Sequence, residues 1–215
     1  MTIRERPIVF STEMVRAILD DRKTMTRGVV KDAGNKMHYG RLLGEWGLSE
    51  PPELVDGLLR WVLQTDVDDS AMFEIKCPYG EVGDIIWVKE TWAIHEKAVG
   101  GIIFKARCPE KLAAIKTWRS SRFMPRAAAR LFLKVKDVRV ERLREITEAD
   151  ARLEGCIDFH DKIGDGKFDD VSEFDLTARD AFIDIWNNDN AKRGYGWDIN
   201  PWVWVVSFER VEVPA

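Results

Sequence analysis

"STEMVRAILDDRKTMTRGVV", residues 11–30, joins a helix pattern to a segment that no ordinary surface turn explains. Ser11 or Thr12 is placed to cap a helix, and Met14, Val15, Ile18 and Leu19 repeat at the i, i+1, i+4, i+5 spacing of one buried face. Glu13 lies near the positive end of the helix dipole. The helix is predicted over about residues 12–21. A plain turn after it would ask for Gly, Asn or Asp. Instead Lys23, Thr24, Thr26 and Arg27 follow directly, and the helix delivers them to its C-terminal edge.

Beyond this element the chain reads as a mixed α+β protein. Residues 37–75 form an apparent insertion rich in Gly, Pro and acidic groups, with an amphipathic helix expected over about 52–64, bearing Leu54, Leu58, Leu59, Trp61 and Val62. "CPYGEVGD" supplies turn chemistry before "IIWVKETW", a β-branched and aromatic run that reads as a strand. Strand patterns return at "GIIFKA", at "ARLFLKVKDVRVERL" (two strands or one bent strand) and at "WVWVVSFERVEV". In the last, the period of two puts Trp202, Trp204, Val206 and Phe208 on one face. Between the later strands, "ITEADARLEG" carries a helix start at Thr147, with Asp150 three residues on, and a stop at Gly155. "EFDLTARDAFIDIWNN" reads as a second helix. The element order suggests a small barrel or sheet crossed by helices, not a doubly wound fold.

The 215 residues suit one domain, 1–215, with 37–75 inserted and 157–175 as a mobile acidic loop. No apolar stretch approaches the ~20 residues of a membrane span, and the charged N-terminus lacks a signal-peptide core, so a cytoplasmic protein without a membrane partner is expected. Three widely separated cysteines suggest neither a disulfide framework nor a thiolate zinc site. "DKIGDGKFDD" resembles a calcium loop only until Ile163 and Ser172 fall where ligands belong. His38, His95 and His160 have no ligand spacing, and no phosphate-binding loop, dinucleotide fingerprint or nucleophile elbow is present. Neither metal nor cofactor is expected. The net charge of −4 conceals a basic segment: Lys105 to Arg144 holds thirteen basic residues against three acidic ones. Such a segment attracts phosphate or forms a solvated face.

Lys23 and Thr26, three residues apart, share a face in a helical turn or a tight bend. A lysine acts as a base when burial or a cationic neighbour destabilises its ammonium, and Arg22 and Arg27 flank it in sequence. It would then take the proton of the Thr26 hydroxyl, making a nucleophile. Acyl transfer also needs a group to protonate a leaving amine and activate water, for which Glu154 is a candidate. The structural alternative is plain: Lys23 and Arg27 complement a helix dipole, Thr26 begins a strand, and Glu154 is solvated.

Four stretches, in order, resemble the ASCH domains of the PUA-like superfamily, in particular a group encoded largely by phages and prophages: "MVRAILDDRKTMTRGVV", "CPYGEVGDIIWVKETWA", "FMPRAAARLFLKVKDVRVERLREITEADARLEGC" and "KRGYGWDINPWVWVVSFERV". The resemblance implies a small β-barrel flanked by helices, with a basic cleft for RNA or a modified nucleoside. Small bacterial members are N4-acetylcytidine amidohydrolases that use a lysine, a threonine and a glutamate, and these match Lys23, Thr26 and Glu154. Arg22, Thr24, Arg27, Trp87, Glu90, Trp92, Arg119, Arg122 and Arg126 are the candidate substrate-binding residues. Trp87 or Trp92 would stack on a base unless it packs in the core, and the three arginines from 119 to 126 would hold phosphate. A non-catalytic RNA-binding module and a ribonuclease using the same cleft are the alternatives. The chain departs from the pattern at Arg27, which follows the second threonine immediately, and at Phe123, where relatives often carry histidine.

Overall fold

The computed structural model describes residues 3–31, 53–55, 58–63, 71–96, 98–108, 117–157 and 177–212. Its strands are β1 (Glu5–Val9), β2 (Met25–Val29), β3 (Glu53–Val55), β4 (Leu58–Leu63), β5 (Ala71–Lys76), β6 (Ile85–Lys89), β7 (Trp92–Ile94), β8 (Ile102–Phe104), β9 (Phe132–Arg142) and β10 (Trp202–Val211). Its α-helices are α1 (Thr12–Leu19), α2 (Glu148–Leu153) and α3 (Ala178–Asn190). The main sheet runs β1-β6-β9-β10-β2, so the fold is mixed α and β with a five-stranded sheet and few helices. Among the described residues no helix is long and apolar enough to cross a membrane. The expected acidic loop lies outside the described residues except for Ile157, as do His38 and His160.

The backbone divides into two compact units: Met1–Thr24, Pro78–Asp137 and Ser207–Ala215 form the first, and Met25–Cys77 with Val138–Val206 the second. Strands β9 and β10 each contribute a segment to both. In the first unit β1 runs parallel to β6, from Glu5 opposite Ile85 to Val9 opposite Lys89. On its other edge β6 pairs antiparallel with β9, Trp87 opposite Phe132. The apolar alternation of these strands buries Ile8, Ile86, Val88, Phe132, Leu133 and Val135 together with Val15, Ala17 and Ile18 of α1. The turn before β6 depends on Gly80 at φ 103°, where a Cβ would stand 2.6 Å from Asp84 Oδ2. Asp84 in turn accepts from the backbone N–H groups of Arg4 at 2.9 Å and Glu81 at 3.1 Å. A short hairpin, β7 with β8, completes the unit's strands.

In the second unit one core gathers Met25, Leu143, Ile146, Ala151, Cys156, Ala178, Phe182, Trp186, Val203 and Val205. Helix α3 starts on a capping box made by Thr177 and Asp180. Glu148, in the first turn of α2, reaches the same end and accepts from the N–H groups of Ala178 at 2.8 Å and Arg179 at 3.1 Å. A carboxylate at a helix N-terminus satisfies two orphan donors and complements the dipole. This contact ties α2 to α3.

The amphipathic helix expected over 52–64 is not formed: β3, β4 and β5 make an antiparallel three-stranded sheet instead. The pattern Leu54, Leu58, Trp61, Val62 satisfied a helical spacing, but Val55 pairs with Leu58, so the residues between them in sequence are Asp56-Gly57. That dipeptide between apolar runs is a strong short-range hairpin signal and outweighs the spacing. The run ending in "VRVERL" is one strand, β9, and not two.

The opening helix ends at Leu19 with a distinctive stop. Asp21 adopts φ 56°, its N–H donates to Ile18 O at 3.1 Å, and the Arg22 N–H donates to Ala17 O at 2.8 Å. This pair of bonds is a Schellman motif with aspartate in the left-handed position usually taken by glycine. It reverses the chain within two residues and sends Lys23 inward. We predict that Asp21→Gly is neutral or stabilising by up to about 1 kcal/mol, whereas Asp21→Val costs about 1–2 kcal/mol because a β-branched residue resists this conformation. Urea denaturation of the three proteins checks the order.

Candidate functional site

Lys23 leaves the Schellman turn with its backbone N–H bonded to Ala17 O at 3.0 Å. Only 2% of the residue is exposed, and its ammonium lies 5.5 Å from the centroid of Phe10, itself 6.5 Å from Phe208. A lysine drawn over an aromatic face in the interior is an uncommon placement. Thr24 holds this edge through its carbonyl, which accepts from the Phe208 N–H at 2.8 Å. Arg22 remains outside and pairs with Asp20 at 3.5 Å.

Thr26 and Arg27 belong to the second unit, on β2, and both are buried. The Arg27 guanidinium is completely shielded and meets three carboxylates. Its Nε and one terminal nitrogen donate to Glu141 Oε1 at 3.1 and 2.5 Å; that nitrogen also reaches Asp150 Oδ2 at 3.0 Å. The other terminal nitrogen donates to Glu154 Oε1 at 3.3 Å and to Met25 Sδ at 3.4 Å. Arg139 closes the group, donating to Glu141 at 3.1 Å and Asp150 at 3.4 Å. Burial opposes the Arg27 charge most strongly, but Glu154, Glu141 and Asp150 together more than offset it and hold the guanidinium above the ordinary arginine value.

Helix α2 explains how Asp150 and Glu154 meet one arginine. Thr147 caps the helix through the Asp150 N–H at 3.1 Å, and Glu154 is its C-terminal cap, so the two carboxylates stand one turn apart on one face. Glu141 comes from the end of β9. Thus Arg27, a candidate substrate contact in sequence, is occupied with carboxylates and positions Glu154. Arg22 and Arg27 thus both face carboxylates.

The other candidates lie in the first unit. Trp92 is 6% exposed and packs with Met124 and Ala128 as a core residue, Arg119 lying 4.9 Å from its ring centroid. Among the described residues its indole N–H has no hydrogen-bond partner. Trp87 is half-buried, with the Lys89 ammonium 5.6 Å from its ring. Glu90, 1% exposed, is held by both arms of Arg130 at 2.8 and 3.0 Å, and that guanidinium stacks on Phe104 at 4.1 Å. Arg126 forms a two-armed pair with Glu5 at 2.6 and 2.9 Å. The hydrogen bond from Arg126 holds the Glu5 carboxyl below its ordinary value, despite some opposing burial. Arg119 and Arg122 are exposed, and among the described residues neither pairs with a carboxylate. No group of three His, Cys, Asp or Glu among the described residues is arranged to hold a metal ion.

Sequence reasoning missed Glu141, Asp150, Arg139 and Arg130. The alternation of β9 displays Arg139 and Glu141 two residues apart on one face, and Asp150 lies four residues before Glu154; both spacings are legible, but their convergence on Arg27 is tertiary. Comparison of the chain with protein-family models, with curated proteins and with solved structures finds no match.

Replacing Arg27 with Met should therefore cost about 3–5 kcal/mol at neutral pH, because three carboxylates lose their buried counter-charge. The raised Arg27 value means that its own contribution is constant at ordinary pH, being lost only as pH climbs through the arginine range. Urea denaturation of both proteins at neutral pH measures the loss.

Proposed function

We propose that the protein is an ASCH-type protein with a PUA-like barrel that binds RNA or a modified nucleoside and hydrolyses the amide of an N4-acylcytidine. One observation carries the reading. The described residues include six buried polar or charged side chains, and Lys23, Thr26 and Glu154 are three of them. A folded chain leaves such groups in its interior only where pairing or function compensates for lost hydration.

In the proposed reaction the Thr26 hydroxyl attacks the acyl carbonyl while Lys23 accepts its proton. Collapse of the tetrahedral intermediate expels the cytidine amine, which Glu154 protonates, and leaves the acyl group as an ester on Thr26. Glu154 then takes a proton from water, whose oxygen attacks that ester; collapse of the second tetrahedral intermediate releases the carboxylic acid, and Lys23 returns its proton to the departing Thr26 oxygen. The Arg27 ion pair supports this assignment by fixing the Glu154 side chain, since a general acid must be held within hydrogen-bond reach of its target.

Acetate release from N4-acetylcytidine tests the proposal. Wild-type protein is expected to turn over. Thr26→Val, which keeps the shape of the side chain but removes its hydroxyl, should lower kcat at least about a hundredfold, and Thr26→Ser should retain turnover. Wild-type protein that releases no acetate, yet binds RNA in a salt-sensitive way, would replace the amidohydrolase with a binding module.

A further inference from the structure

The segment "TWRSSRF", residues 117–123, carries two aromatic residues interleaved with two arginines, and residues 117–130 contain four arginines and no acid. Phe123 is 76% exposed, the most exposed large apolar residue in the described chain, while Met124 beside it is 1% exposed. The turn that presents Phe123 is pinned on both sides. The N–H groups of Phe123 and Met124 donate to Ser120 O at 3.1 Å and Ser121 O at 3.0 Å, and Arg119 exchanges backbone bonds with Trp92 at 2.7 and 3.3 Å. Lys89 donates from its ammonium to the Arg122 carbonyl, which brings a third cation to the turn.

A single exposed phenylalanine is ordinary. Its surroundings are not: Arg119 and Arg122 flank it on the same turn, the Lys89 ammonium bonds the carbonyl of Arg122 next to it, and among the described residues no carboxylate pairs with any of the three. Arg126, three residues on, shows the contrast: Glu5 neutralises it. An apolar partner would be repelled by so much unpaired charge, and an acidic peptide would leave the ring without a flat mate. A strand of nucleic acid meets both demands, offering a phosphate at every step and a base with an open π-face.

We propose that Phe123, with Lys89, Arg119 and Arg122, forms a docking surface for single-stranded nucleic acid, on which one base stacks on the phenyl ring and the flanking phosphates meet the three cations. The inference rests on the nucleic-acid reading above and deepens it, assigning a polymer where that reading admits a free nucleoside. A duplex fits poorly, since its bases are already stacked on one another. The surface touches no sugar hydroxyl by necessity, so RNA and DNA strands are held alike.

Fluorescence anisotropy with labelled oligouridylate and oligothymidylate of about twelve nucleotides tests this. Three phosphate contacts predict that the logarithm of affinity falls with that of salt concentration with a slope of about −2. Phe123→Ala should weaken binding about tenfold without changing the slope, and Phe123→Trp should restore it. Arg122→Ala should make the slope shallower by about 0.7. An affinity unmoved by Phe123→Ala, or a duplex bound as tightly as the single strand, would overturn the proposal. The two readings fail separately: acetate release with Phe123-independent strand binding removes this surface alone, and Phe123-dependent strand binding without acetate release removes the amidohydrolase alone.

Discussion

The second unit is organised around a buried arginine. Moving a guanidinium out of water costs several kcal/mol, and the cost is recovered only if nearly every N–H finds an acceptor in good geometry. Arg27 meets that requirement with Glu141, Asp150 and Glu154, which come from β9 and from two successive turns of α2. The directional ion pairs join β2, β9 and α2 at a single side chain. The guanidinium carbon also lies 5.9 Å from the centroid of Phe182 on α3, so the same residue reaches the apolar core.

The first unit uses the same device in miniature. Glu90 is buried on the edge beyond β6, and its two oxygens are consumed by the two arms of Arg130. Planar pairing of this kind is what makes arginine and lysine unequal at a buried carboxylate. Lys23, by contrast, carries a point charge on a flexible stem and is placed against the Phe10 ring. The distribution of residue types thus follows a physical division: arginines hold carboxylates still, and the lysine lies among rings.

Much of this was legible in the sequence, and what was not has identifiable causes. The α1 period, the Thr147 cap and the strand runs of β6, β9 and β10 were readable because local pattern and tertiary structure agree in them. The three-stranded β3–β4–β5 sheet was misread as a helix because its leucines satisfy two periods at once, and Asp56-Gly57 was the clue that separates them. Lys23, Thr26 and Glu154 were singled out by residue type and resemblance; their burial is a tertiary fact. The occupation of Arg27 was hidden for a different reason. A positive charge beside a candidate nucleophile reads equally as a ligand for substrate or for the protein's own carboxylates, and only the fold chooses between them.

If the Arg27 guanidinium is what holds Glu154 in place, the two side chains must be energetically coupled. A double-mutant cycle with Arg27→Met and Glu154→Gln, followed by urea denaturation at neutral pH, measures that coupling directly. The account predicts an interaction energy of about 1–3 kcal/mol, with the double variant losing less than the sum of the single losses. Additive losses, with a coupling near zero, would contradict it.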